Sequence, residues 1–436
     1  FSLPIVSNMC GDYIEISSEP ERFFLVGITQ PNQSFEFGEQ TLDELARLTD
    51  TAGGAVVGHE HLRLREIHAG TFMGRGNAKR IAGMAQELAA DGVIIDEDLS
   101  PAQTRNLEDI FELTVLDRTT LILDIFALHA QSREGKLQVE FAQLEYLLPR
   151  LRGKGTQLSR LGGGIGTRGP GETKLETDRR RIQNRISHLK KDILALEKRR
   201  STQRRLRQKK EIPSLSLIGY TNAGKSTLLN TLTKAEVLVE NKLFSTLDPT
   251  ARRLRLPGGR EVVLIDTVGF IRKLPHALVA SFRATLEEIK YADILLLVAD
   301  ASSPMLEDEI RTSHEVLELL KITDKLILTV FNKIDLVKDM SALQPIMERH
   351  QPNASISSLE GSGLEEFLQM IPPLLQKTKS IYHYGIPYHR FDLLAKIQAQ
   401  GEDAVVEYFD EYIKLKVRME PDIAKAISHD SDLKRL

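Results

Sequence analysis

The chain holds a single cysteine, Cys10, so it can form neither an internal disulfide nor a thiolate-held zinc site. A reducing setting, the cytoplasm, is expected. No run approaches the roughly 18 apolar residues that a membrane span needs. At most a peripheral membrane contact remains, and a monomer in solution is expected. No segment reads as a secretory leader, although the numbering opens on Phe1 and leaves room for an upstream segment. With 41% apolar and 27% charged residues, disordered and fibrous classes are excluded. The 436 residues suffice for two to four domains at about 100–200 residues each.

Charge of one sign is lacking overall, since the formal net charge is −3. That small value conceals an asymmetry. From Arg150 to Glu211 there are 20 Lys and Arg against 6 Asp and Glu, a balance of +14, so the rest of the chain sums to −17. A solvated helix that happens to be basic is the plain alternative. An excess this local and large is more simply the footprint of a polyanion-binding element, with RNA as the expected partner.

The first 130 residues read as an α/β unit. Phe23–Ile28, Ala55–Val57 and Gly92–Ile95 are strand-like runs, and Ala78–Ala90 is helical by spacing. Thr41-Leu-Asp-Glu44 has the form of a capping box opening a helix, and Ser100-Pro101 a cap followed by proline at the first helical position. Alternation of strands and helices implies a mainly parallel sheet. The Gly74-Arg75-Gly76 turn lacks the full glycine-rich fingerprint and reads as structural.

Residues 131–211 differ. Leu137, Phe141, Leu144, Leu148 and Leu151 repeat at spacings of four and three, as do Ile182, Ile186, Leu189, Ile193 and Leu196. Two heptad-patterned helices on one seam are expected, as an antiparallel hairpin. Between them, Gly153–Gly171 is too rich in glycine to continue either helix. Arg160, Arg168 and Lys174 flank those glycines, and Arg179-Arg-Arg181 opens the expected return helix. A thin, basic tip suits a crowded phosphate surface.

A second α/β unit, residues 212–379, is readable from strands at Ser214–Gly219, Glu261–Asp266, Ile294–Asp300 and Leu326–Asn332. A small α+β unit, 380–436, closes the chain. The fold class expected is therefore multidomain α/β.

The chemistry lies in the second α/β unit. Gly219-Tyr220-Thr221-Asn222-Ala223-Gly224-Lys225-Ser226 follows an apolar strand and precedes the helical pattern Thr227–Leu232, the context of a phosphate-binding P-loop. Loop amides and the helix N-terminus would wrap phosphates. Lys225 would neutralise the β- and γ-phosphates, and the Ser226 hydroxyl would ligate Mg²⁺. Asp266-Thr267-Val268-Gly269 ends a later strand, where the carboxylate can hold Mg²⁺ through water and the Gly269 N–H can meet a γ-phosphate. Asn332-Lys333-Ile334-Asp335 ends another. Its Asp335 can accept from both guanine N1–H and the N2 amino group, an edge adenine lacks. GTP or GDP with Mg²⁺ is the expected ligand.

With these motifs in order, the chain resembles translation-factor-like GTPases, and within the Obg–HflX group it resembles the HflX family. The closer likeness rests on Gly219–Ser226, on Phe244-Ser245-Thr246-Leu247-Asp248 followed by Pro249-Thr250, and on Asp266–Phe270. It rests also on Gly162-Gly-Gly-Ile-Gly-Thr-Arg-Gly-Pro-Gly-Glu-Thr-Lys174. The resemblance spans roughly residues 20 to 380. It implies that Thr246 is the switch I threonine that joins Mg²⁺, and that Lys225, Thr246 and Gly269 serve catalysis. It places Ser357-Ser358-Leu359 at the guanine-contacting loop, where the family's second residue is usually alanine. It implies a GTPase that binds the large (50S) ribosomal subunit and its rRNA and splits stalled ribosomes under stress. A large-subunit assembly GTPase and a nucleotide-gated RNA-binding module remain alternatives. Related small GTPases carry glutamine after the Asp-x-x-Gly element to orient water. Phe270 stands there instead and can neither donate nor accept a hydrogen bond.

Overall fold

The structure is a computed structural model that describes residues 20–30, 35–151, 170–209, 212–233, 243–244, 250–273, 288–377, 380–409, 411–419, 423–424, 427 and 433–435. The protein is a multidomain α/β chain, with three sheets among the described residues.

The first sheet takes β1 (Arg22–Thr29), β2 (Ala55–Arg63), β3 (Gly92–Ile95) and β4 (Thr114–Asp117) in the order β2-β1-β3-β4, all parallel. The central β3 is buried along its whole length, as a strand covered on both faces requires. Its helices are α1 (Phe35–Thr51), α2 (Arg75–Glu87), α3 (Pro101–Phe111) and α4 (Arg118–His129). Ser100 caps α3 as expected, in a reciprocal capping box with Gln103. The helix expected to open at Thr41 begins earlier, at Phe35. Thr41 is interior, and its hydroxyl bonds back to the Gly38 carbonyl at 2.9 Å. Glu44 therefore caps nothing and is drawn to a guanidinium instead. Helix α4 buries Leu121, Ile122, Leu123, Ile125 and Phe126, so apolar residues occupy most of its circumference. A helix hydrophobic all round must be covered on more than one side. Here the first sheet covers one side and the P-loop unit another, within one apolar cluster that also holds Phe244, Val268 and Phe270.

Next come α5 (Arg133–Arg150) and the 40-residue α6 (Pro170–Lys209), about 60 Å long at 1.5 Å per residue. The two heptad stripes meet as expected. Phe141, Leu144, Ile186 and Leu189 form the seam, with Leu137, Leu148, Ile182 and Ile193 packed beside it. The Glu140–Arg185 and Glu145–Lys190 pairs flank it. Helix α6 starts at Pro170, ahead of the arginine triplet. Proline lacks only an N–H that a first turn does not use. The glycine-rich stretch up to Gly169, with Arg160 and Arg168, lies outside the described residues.

The second sheet comprises β5 (Ser214–Ile218), β6 (Thr250–Arg255), β7 (Glu261–Asp266), β8 (Ile294–Asp300), β9 (Leu326–Asn332) and β10 (Asn353–Ser355), ordered β10-β9-β8-β5-β7-β6. Among the described residues only β6, an edge strand, runs antiparallel to its neighbour in this sheet. Its sequence, Thr-Ala-Arg-Arg-Leu-Arg, has no apolar run, which is why periodicity does not announce it. Helices α7 (Lys225–Thr233), α8 (Leu306–Leu319), α9 (Met340–Arg349) and α10 (Leu364–Lys377) belong to this unit. The tail forms an antiparallel sheet of β11 (Ser380–Ile386), β12 (Glu402–Tyr408), β13 (Ile413–Met419) and β14 (Lys434–Arg435), with α11 (Phe391–Gln400). Among the described residues no helix is long and apolar enough to cross a membrane.

Candidate functional site

Strands β5, β7, β8 and β9 lie side by side and end at one edge of the second sheet. In a parallel sheet the loops leaving the carboxyl ends form the natural crevice for a ligand. Three of the expected motifs leave from that edge.

The loop after β5 can fold only with glycine at two places. Gly219 has φ 134°, and a Cβ on it would lie 2.1 Å from the Val298 carbonyl oxygen. Gly224 has φ 93°, and a Cβ there would lie 2.2 Å from Asn332 Nδ2. Between them Asn222 adopts a left-handed φ of 60°, which asparagine tolerates. Helix α7 then opens at Lys225. Its ammonium is buried and folds back to donate to the Gly219 carbonyl at 3.0 Å and the Tyr220 carbonyl at 2.6 Å. Burial lowers the Lys225 pKa to about 8, against the opposing pull of Asp266 and Glu309. Among the described residues its hydrogen-bond partners are carbonyl oxygens, and a phosphate would supply an anionic one.

The Ser226 hydroxyl donates to Asp266 Oδ2 at 2.8 Å, so a hydroxyl from the loop and a carboxylate from β7 converge. Hard oxygen donors of this kind suit Mg²⁺. Thr267 turns its hydroxyl to the Leu217 carbonyl at 2.7 Å, fixing the start of the Asp266–Gly269 segment. Beyond it the chain lies directly on the loop. Thr221 N–H donates to the Phe270 carbonyl at 2.8 Å, and Phe270 N–H donates to the Gly219 carbonyl at 2.9 Å.

The third motif is tied to the same loop. Asn332 Nδ2 donates to the Ala223 carbonyl at 2.8 Å, while its Oδ1 accepts from the Ser358 N–H at 2.9 Å and hydroxyl at 2.8 Å. The serine at the position usually held by alanine thus spends its hydroxyl on Asn332. Thr231 of α7 donates to the Ser358 carbonyl at 2.8 Å, and Ser357 is fully buried. Lys333, at φ 62°, pairs with Asp300 at 2.6 Å. Asp335 and Leu359 are exposed, Asp335 in the single turn Ile334–Leu336. The structure therefore brings together Gly219–Thr227, Asp266–Gly269, Asn332–Asp335 and Ser357–Leu359. Phe244 is buried beside them, and Ser245, Thr246, Leu247 and Asp248 lie outside the described residues.

The first domain also reaches the site, which no motif foretells. Glu44 Oε2 accepts from the Tyr220 hydroxyl at 2.6 Å, and burial together with Glu44 pushes that phenol's pKa up. Arg118, 2% exposed, donates to Asp96 Oδ1 at 2.6 Å and to Glu44. Burial opposes its charge, but Glu44 and Asp96 outweigh it and raise the Arg118 pKa. Phe126 meets Phe244 edge-on, with centroids 4.8 Å apart and planes at 85°, a favoured aromatic geometry. The one available signal was the run Ile94-Ile-Asp96-Glu97-Asp98, three acids directly after a buried strand.

Comparison with known proteins agrees in order and extent. A model described as GTP-binding GTPase N-terminal matches residues 39–127, one described as GTP-binding GTPase Middle Region matches 129–207, and one described as 50S ribosome-binding GTPase matches 214–333. A protein named GTPase HflX from Lacrimispora saccharolytica is 43% identical over 97% of this chain and 99% of its own length. The GTPase HflX of Escherichia coli is 42% identical over 87% of this chain and 90% of its own. A solved GTP-binding protein from Sulfolobus solfataricus, in complex with GDP, aligns with a TM-score of 0.42 at 27% identity, covering 82% of this chain and 99% of that one.

Proposed function

Since this chain belongs to the HflX family of GTPases and hydrolyses GTP, we propose that it couples hydrolysis to the large ribosomal subunit, splitting or rescuing stalled ribosomes under stress. The observation that carries this reading is a pairing within one chain. A P-loop site is joined to a basic helix of 40 residues, a charge pattern that suits a strongly anionic partner surface.

In this reading loop amides from Gly219 to Thr227 wrap the phosphates, and Lys225 neutralises the β- and γ-oxygens. Asp335 takes the guanine N1–H and N2 amino group, supported by Asn332, Lys333, Ile334 and the Ser357–Leu359 loop. Ser226 and Thr246 would hold Mg²⁺, with Asp266 acting through water. When bound, the ion neutralises charge on the phosphates. The Gly269 N–H faces the γ-phosphate. Phe270 offers no hydrogen bond to an attacking water, so the isolated protein turns over slowly and the ribosome completes the site. The arginines of α6 and of the glycine-rich tip meet rRNA phosphates.

Co-sedimentation tests the proposal. Protein loaded with a nonhydrolysable GTP analogue should pellet with large subunits and, with GTP, convert 70S particles to free subunits. Failure to pellet at low salt would refute the ribosomal reading. Accumulation of precursor particles without splitting would favour an assembly role.

A further inference from the structure

The first sheet ends on β4, which pairs with β3 along one edge. Successive residues of a parallel strand turn their peptide groups to alternate sides, so half of the Thr114–Asp117 N–H and C=O groups point away from β3. Among the described residues no strand covers that outer edge. A cavity of about 200 Å³ lies there instead, bounded by α3, α4 and α5 and lined by all four residues of β4.

Helix α5 divides its faces between two neighbours. Phe141 and Leu144 join the seam with α6, whereas Gln143 and Leu147, one turn apart, line the cavity. Leu116 of β4 and Leu123 of α4 complete mostly apolar walls. Gln143 is 2% exposed, and neither its amide nitrogen nor its amide oxygen has a hydrogen-bond partner. An unpaired buried amide is costly, and a leucine would have continued the wall. The position therefore carries a donor and an acceptor that the fold does not use.

The charges around the cavity are balanced. Arg105 and Arg150 are matched by Glu108 and Asp117. Asp117 accepts from the Thr120 N–H at 2.9 Å, the Thr120 hydroxyl at 2.6 Å, the Tyr146 hydroxyl and Arg150. Arg150 also donates to the Leu99 carbonyl at 2.7 Å. The lining offers no surplus charge to an ion.

We propose that this cavity binds a small neutral molecule built from one ring-sized apolar body and one amide. The apolar walls take the ring. An apolar cavity of about 150 Å³ holds benzene, so this one has room for a ring with its amide substituent. The Gln143 amide and the outer edge of β4 each present a donor beside an acceptor, which complements the N–H and C=O of a bound amide. Seated there, the molecule bridges the first sheet and α5, independently of the P-loop site.

Benzamide is the probe, titrated into the full chain and followed by ligand-observed NMR. A ligand this small should saturate the site at about millimolar concentration. N,N-dimethylbenzamide keeps the ring and carbonyl but has no N–H, and should bind about tenfold more weakly, as the loss of one or two neutral hydrogen bonds requires. Gln143→Leu should abolish that discrimination while melting no lower than wild type, because it removes an unpaired group rather than a contact. Leu123→Phe should fill the space and exclude both amides. Guanine-nucleotide affinity, unchanged in each variant, reports an intact fold. In wild type, benzamide should slow hydrogen exchange at Thr114–Asp117. Equal binding of the two amides by wild type, unaltered discrimination in Gln143→Leu, or added protection confined to other segments would overturn the proposal. So would a wild type that binds no benzamide, since the cavity would then hold water alone.

Discussion

Removing the guanidinium of Arg118 tests whether the charge cluster beneath the P-loop is a structural keystone. The side chain is 2% exposed, and the carboxylates it serves, Asp96 and Glu44, are 0% and 12% exposed. Arg118→Met keeps the volume but strands two acids. Breaking a buried pair by deleting one partner costs about 3–5 kcal/mol. Asp96 retains Lys273 and Glu44 retains the Tyr220 hydroxyl, so the lower end, about 3 kcal/mol, is expected. Typical stabilities are about 5–15 kcal/mol, so this is a large fraction. Native-state hydrogen exchange at Gly92–Ile95, the strand leading into Asp96, should lose protection by about two orders of magnitude, at 1.36 kcal/mol per factor of ten. The double variant with Glu44→Gln should lose less than the two single losses summed. Protection falling less than tenfold, or fully additive losses in the double variant, would refute the reasoning.

Asp335→Asn should weaken GTP by several kcal/mol and improve xanthosine triphosphate, because an acceptor is exchanged for a donor; equal GTP titrations would remove Asp335 from the base site. Lys225 titrates near 8 when free and should be raised by bound phosphates, so nucleotide affinity should be flat below that pH and fall by up to about tenfold per unit above it. Calorimetry in buffers of different ionisation enthalpy should detect the proton taken up. Basal turnover should lie well below about 1 s⁻¹ and rise strongly with large subunits; fast hydrolysis by the protein alone would contradict the reading of Phe270. Deleting Leu161–Pro170 should spare nucleotide affinity and basal hydrolysis but reduce ribosome-stimulated hydrolysis and splitting, and splitting at the wild-type rate would reduce the glycine-rich tip to a tether.

Much of the architecture was legible in the chain because local chemistry carries it. The P-loop needs glycines where φ is positive and space is absent, so Gly219 and Gly224 announce it wherever they occur in strand–loop–helix context. The heptad stripes of α5 and α6 predict their own contact, since periodicity and packing are one fact. Ser100 declares its helix for the same reason. What periodicity lacks it cannot disclose, and the charged edge strand β6 went unannounced. Thr41 and Glu44 misled because a capping box needs a helix start, and the helix begins upstream. Residue spacing likewise cannot reveal that Glu44, Asp96 and Arg118 meet Tyr220 and Lys273, partners as many as 177 positions apart. Each is unremarkable alone. Only packing the first sheet against the P-loop unit removes water from among them, and desolvation makes pairing obligatory for charges that on a solvated surface would contribute almost nothing.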